Sequence, residues 1–130
     1  MKLIANNIYK KIKGKTILND ISLEMETGNI YGFWGRNGSG KTMLFRALSG
    51  LMKIDSGNIY WNEKELHKDF DVLPSQGIVL EHAGLYPNKT GVDNLLYLAQ
   101  LKGVIGKREV EEAIQRVGLD PADKRVFGKY

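Results

Sequence analysis

The chain has no cysteine, which excludes disulfides and thiolate metal sites and fits a reducing compartment. It has no apolar run near the roughly 18 residues that a bilayer-spanning helix needs. Lys2 stands near the N-terminus, but no apolar stretch of signal-peptide length follows it. Repeats and low-complexity segments are missing too. These absences lead to the expectation of a protein soluble by itself in the cytosol. Charge of either sign is barely in excess, since 19 Lys and Arg against 15 Asp and Glu give +4. Five of the cations, Lys2, Lys10, Lys11, Lys13 and Lys15, fall early in the chain. They read either as a patch for nucleic acid or an anionic membrane or as a hairpin edge guarded by lysines. The second reading is preferred, so no nucleic-acid partner is expected. What is present is 130 residues, 42% hydrophobic and 26% charged, enough for a small domain with a real core.

One stretch organises the rest. Gly35-Arg36-Asn37-Gly38-Ser39-Gly40-Lys41-Thr42 spells G-x-x-x-x-G-K-[ST], the P-loop pattern. Gly35, Gly38 and Gly40 lack a Cβ, so the backbone can take positive φ and approach a ligand closely. The loop amides then converge on phosphate oxygens at the positive end of the next helix. Lys41 can reach the β- and γ-phosphates, and the Thr42 hydroxyl is placed to ligate Mg²⁺. Residues 29–34, opened by Gly28, read as a buried strand, and Met43, Leu44, Ala47, Leu48 and Leu51 recur at helical spacing. Strand, glycine loop and amphipathic helix stand in the order that a nucleoside-triphosphate site requires.

Elsewhere, residues 3–9 and 16–25 read as two strands joined by a turn, and Ile59, Tyr60 and Trp61 as a short strand after a loop over 53–58. Residues 63–71 are charged and ambiguous. Residues 76–80 read as another short apolar strand ending at Glu81-His82. Thr90 is a candidate N-cap for a helix carrying Val92, Leu95, Leu96, Leu98, Ala99 and Leu101, with Asp93 in its first turn. A second helix is expected from about Lys107 to Val117, stopped by Gly118. The last eleven residues show no capping or closing element, so the chain reads as stopping in mid-fold.

Hydrolysis of a nucleotide usually needs an apolar strand ending in Asp and a group that orients water. Ile78-Val79-Leu80-Glu81 is the one candidate, but it is short, ends in Glu and lies close behind the loop. His82 reads as a loop or surface histidine rather than a base.

The ordered set Ile17-Leu18-Asn19-Asp20-Ile21-Ser22-Leu23, Gly28, the P-loop, Leu48-Ser49-Gly50-Leu51, Asp55-Ser56-Gly57-Asn58-Ile59 and Thr90-Gly91-Val92-Asp93-Asn94-Leu95 resembles the ATP-binding subunit of an ABC transporter. The resemblance covers essentially the whole chain but only about the N-terminal half of such a subunit. It implies an α/β fold: a P-loop NTPase core with an N-terminal antiparallel β subdomain (1–83, partial) and the start of a helical subdomain (84–130, partial). The signature segment, the Asp-ending magnesium strand, the catalytic glutamate and the switch histidine are absent, so a truncated piece of a longer ATPase, nearly inactive alone, is expected. ATP and Mg²⁺ are the implied ligands, held by Gly35, Arg36, Asn37, Gly38, Ser39, Gly40, Lys41, Thr42 and Met43. Lys41 and Glu81 are the implied catalytic positions, with Thr42 and Glu81 for Mg²⁺, the latter through water.

Where the family usually has glutamine, as a sensor of the γ-phosphate, this chain has Glu81. Glu81-His82-Ala83-Gly84-Leu85-Tyr86-Pro87-Asn88 is similar to subunits of bacitracin- and lantibiotic-type peptide exporters. The family also stacks adenine on an aromatic before its second strand; Ile12 aligns there, and Tyr9, three residues earlier, either stacks adenine or packs on the sheet. The implied partners are a second copy of the subunit, sandwiching two ATP, and a membrane permease that holds the protein on the inner face of the membrane. The region from about Leu85 to Val117 is either the permease socket or core for missing helices. Two other readings remain open: a soluble ABC-type ATPase of translation or DNA repair, and a small P-loop kinase using Glu81 or Asp93. The kinase would need an Arg-rich lid, and Arg108, Arg116 and Arg125 are widely spaced.

Overall fold

In the computed structural model, which describes residues 1–82 and 84–130, β1 (Lys2–Ile12) and β2 (Lys15–Glu26) pair antiparallel. Lys13 and Gly14 form the two-residue turn, and both have positive φ, 50° and 78°, the geometry that matches the twist of a hairpin. β3 (Ser56–Trp61) pairs antiparallel with the other edge of β1, and β4 (Lys64–Glu65) pairs with β3, giving the order β2-β1-β3-β4. A bulge sets the core face. Leu3 and Ala5 alternate inward, and the register shifts at Asn6 and Asn7 so that Ile8 is buried in the same cluster. Asn7 takes φ 47° and is held there by Ser22 Oγ, which accepts its amide at 2.8 Å, and by Asp20 Oδ1, which accepts its side-chain amide at 2.7 Å.

α1 (Lys41–Ser49) buries Leu44, Ala47 and Leu48 in that same cluster with Leu18, Ile59 and Leu66. Asp55 ties the start of β3 to β1: Lys11 N donates to its Oδ2 at 2.7 Å and Lys10 Nζ lies 3.5 Å from Oδ1. The Lys11 amide, aided by the Lys10 charge, holds this carboxyl below the usual Asp range.

Two expected strands do not form. Residues 29–34 and 76–80 carry no ladder among the described residues. A continuous apolar run is stable as a strand only with partners on its edges and cover on both faces. Here Ile30 and Trp34 stand fully in solvent and Val79 is 84% exposed. Side-chain contacts take the ladder's place: Tyr31 Oη accepts Glu26 N at 2.9 Å, and Phe33 meets Phe45 of α1 edge-on at 5.3 Å. The ambiguous 63–71 stretch holds β4 and a tight return in which Leu66 reaches the core and Asp69 accepts the Glu65 amide at 2.7 Å.

The chain divides into two compact units, Met1–Glu81 and His82–Tyr130. In the second, α2 (Gly91–Lys102) starts at Thr90, whose hydroxyl accepts Asp93 N at 3.1 Å, and α3 (Lys107–Arg116) follows. The tail is less open than expected. A 3₁₀ turn over Phe127–Lys129 docks on the loop before α2, where Phe127 N and Gly128 N donate to Lys89 O and Pro87 O at 2.7 and 2.9 Å.

Asn94 organises that loop. It is only 2% exposed; its Oδ1 accepts Tyr86 N at 2.7 Å, and its Nδ2 faces Tyr86 O, Thr90 O and Lys89 O at 3.0, 3.1 and 3.3 Å. Alanine at Asn94 strips these partners from buried backbone groups and should destabilise the second unit by about 2–3 kcal/mol. Hydrogen exchange checks this: protection over 86–94 collapses in Asn94→Ala, while protection of β1 and β2 is unchanged. No helix among the described residues is long and apolar enough to cross a membrane.

Candidate functional site

The phosphate loop lies between the unpaired 29–34 segment and α1. Its glycines have physical reasons. Gly40, the residue that caps α1, has φ 92°, and a Cβ there would sit 2.9 Å from Ile17 O of β2. A Cβ on Gly35 would come within 2.6 Å of Ser39 Oγ, across the loop. Gly38 takes φ 81° with open space beside it, so there a side chain is opposed by conformation rather than crowding. Ser39 N donates to Arg36 O at 3.1 Å and Leu44 N to Gly40 O at 2.8 Å, so the loop turns directly into the helix. The first turn of α1 holds no acidic residue, which leaves its positive end to an anion.

Lys41 arches back over the loop. Its Nζ donates to Gly35 O and, at 3.1 Å, to Arg36 O. The ammonium is therefore held against the loop's own carbonyls. Above the loop is a cleft of about 400 Å³ lined by residues 36–43 with Lys15 and Ile17 of β2. Every charged side chain in that lining, Lys15, Arg36 and Lys41, is a cation. The cradle fits a polyphosphate: close-approach glycines, a free helix end and three positive charges with no carboxylate among them. Met43 also lines it.

Glu81 and Tyr9 are not in this lining. Tyr9 lies on β1 opposite Ser56, its carbonyl accepting Asp55 N at 2.8 Å. Glu81 meets α1 instead, Oε1 lying 2.8 Å from Arg46 Nη2. Ala83, inside the run compared with peptide exporters, lies outside the described residues. Among the described residues no three His, Asp or Glu side chains gather to hold a metal ion. A divalent cation here would be held by the Thr42 hydroxyl together with phosphate oxygens, the usual way in which Mg²⁺ is bound with a nucleotide.

Sequence reading missed Lys15, Ile17 and Arg46. Lys15 was read as one of the early lysines at the turn and Ile17 as part of the second strand and of the family-like motif, and the hairpin that brings β2 over the loop was the available signal. Arg46 had none: its partner lies 35 residues away.

Residues 18–130 match the model of the ABC transporter family. The uncharacterized ABC transporter ATP-binding protein YybJ of Bacillus subtilis is 43% identical over 95% of this chain and 57% of its own. The bacitracin transport ATP-binding protein BcrA of Enterococcus faecalis is 35% identical over 97% of this chain and 41% of its own. The chain thus spans about half the length of the curated relatives it matches. Among solved structures, a putative ABC transporter ATP-binding protein from Pyrococcus furiosus superposes with a TM-score of 0.73 at 31% identity, covering 100% of this chain and 63% of that one. The ATP-binding cassette MJ0796, in a dimeric post-hydrolysis state with ADP and Pi, gives a TM-score of 0.77 at 17% identity over 98% of this chain and 62% of that one, a likeness of fold.

Proposed function

The chain belongs to the ABC transporter family, and we propose that it is the nucleotide-binding part of a subunit that couples ATP binding and hydrolysis to transport through a separate membrane permease. The observation that carries this reading is the cleft over the phosphate loop, where the charged side chains among the described lining residues are all cations and Lys41 is already turned towards the loop. In this role the loop amides and the α1 terminus bind the β- and γ-phosphates, and Lys41 holds their charge during transfer. Thr42 holds Mg²⁺ through its hydroxyl, and the ion, when bound, neutralises and orients the phosphates. Glu81 reports on the γ-phosphate, and Tyr9 is the candidate for stacking adenine. The domain division proposed is a β and P-loop part over 1–83 and a helical part over 84–130.

A dimer of such subunits is the proposed working form, attached to the inner face of the membrane through the permease; the MJ0796 cassette is a dimer in its structure. The Glu81–Asn88 run and the relation to BcrA, a bacitracin transport protein, favour peptides as the transported class. The soluble ATPase of translation or repair is less favoured, because its support was the N-terminal lysines. Lys2 pairs with Glu24 and Glu26 at 2.7 and 3.2 Å and Lys10 with Asp55, so these charges are partly answered within the sheet.

The test is steady-state hydrolysis. The 130-residue chain alone is expected to bind ATP yet turn it over near background, while the full-length protein carrying it hydrolyses ATP. Robust turnover by residues 1–130, abolished by Lys41→Ala, would contradict the proposed near-inactivity of this part alone.

A further inference from the structure

Nothing in the sheet fixes the end of the 76–81 segment, since it has no ladder among the described residues. Polar contacts lay it along α1 instead. Leu73 N and Gln76 Nε2 both donate to Ser49 O, at 3.2 and 3.0 Å, and Arg46 Nη2 reaches Glu81 Oε1 at 2.8 Å. Arg46 stands four residues after Thr42 in the same helix, so the two share a face, roughly 6 Å apart along the axis. Side chains on a helix generally lean towards its N-terminus, which for Arg46 is the Thr42 end.

We propose that Arg46 is a positioning residue for Glu81: it holds the carboxylate on the Thr42 face of α1 and cancels its charge beside the bound phosphates. This rests on the reading of the loop as an ATP site with Glu81 as the reporter of its γ-phosphate. It answers a chemical difficulty in that reading, because a carboxylate close to a triphosphate repels it whereas the glutamine usual in the family does not. A guanidinium five residues from Lys41 removes the repulsion without touching the nucleotide. Both side chains are partly exposed, 31% and 49%, so the pair adds little to folding and its loss should be read in binding rather than in stability.

The experiment is a double-mutant cycle in the full-length protein, reading equilibrium affinity for a fluorescent ATP analogue without and with Mg²⁺, with thermal melts as the control for folding. Arg46→Met should weaken Mg²⁺-free binding about tenfold, the size expected of one uncompensated charge within a few ångströms near a protein surface, and Arg46→Lys should keep most of it. In the Glu81→Gln background the Arg46→Met loss should disappear. A loss that persists in that background means that Arg46 acts on phosphate directly, and no loss in either background means that the pair is only a solvated contact; each overturns the proposal. Lys41→Ala in the same assay keeps the two failures apart: if it leaves affinity unchanged, the ATP-site reading itself has failed.

Discussion

Gly57→Ala lowers the stability of the first unit by about 3–4 kcal/mol, the sum of a strained positive φ and a forced backbone shift. The residue has φ 96°, and a Cβ there would lie 2.4 Å from Asn7 O and 2.6 Å from Asn6 O. Those carbonyls belong to the bulge that turns Ile8 into the core. Neither side can yield cheaply: moving β3 breaks its ladder with β1, and moving the bulge takes Ile8 out of place. For a unit of this size the melting temperature should fall by about 15 °C. Gly14 is the control. Its φ is also positive, 78°, but nothing lies within 4 Å of a Cβ, so Gly14→Ala should cost only about 1 kcal/mol. Equal losses at both positions, read by chemical or thermal denaturation, would show that conformation alone and not close approach decides.

Lys41→Ala should reduce ATP hydrolysis by the full-length protein about 100-fold or more, the usual effect of removing a preorganised group from a site of charge development. Its fold should survive. The Nζ contacts are to two exposed loop carbonyls, Gly35 O and Arg36 O, which water can satisfy, and the buried residues of α1 are Leu44, Ala47, Leu48 and Ser49. Melting curves that overlay the wild type, together with lost turnover, are the expected pair of results. Lys41→Arg should rescue little, because a planar fork does not replace a compact ammonium in so tight a loop.

The loop was legible because its chemistry permits few spellings: glycine where a Cβ would strike Ile17 O or Ser39 Oγ, and lysine and threonine at the helix start. The hairpin and the helices were legible from period and caps, down to Thr90 accepting the Asp93 amide. Residues 29–34 and 76–80 were misread because apolar runs say that cover is wanted, not where the partner strand is. Exposed Ile30, Trp34 and Val79 carry the same message in the structure. Asn94 was quoted only as part of a motif; that it is buried and bonded to the loop over 86–90 depends on a chain reversal that no local pattern announces. The Arg46–Glu81 pair was hidden for the same reason, since it joins helix and segment across 35 positions. Lys15 and Ile17 enter the cleft only because a two-residue turn returns β2 over the loop.

The most direct test of the account is titration of the purified chain with AMP, ADP and ATP in turn, followed by calorimetry. The cation-lined loop, reading β- and γ-phosphates, predicts one site with ATP and ADP bound far more tightly than AMP, and that preference lost in Lys41→Ala. Equal affinity for AMP and ATP, or a preference for ATP that survives Lys41→Ala, would contradict it.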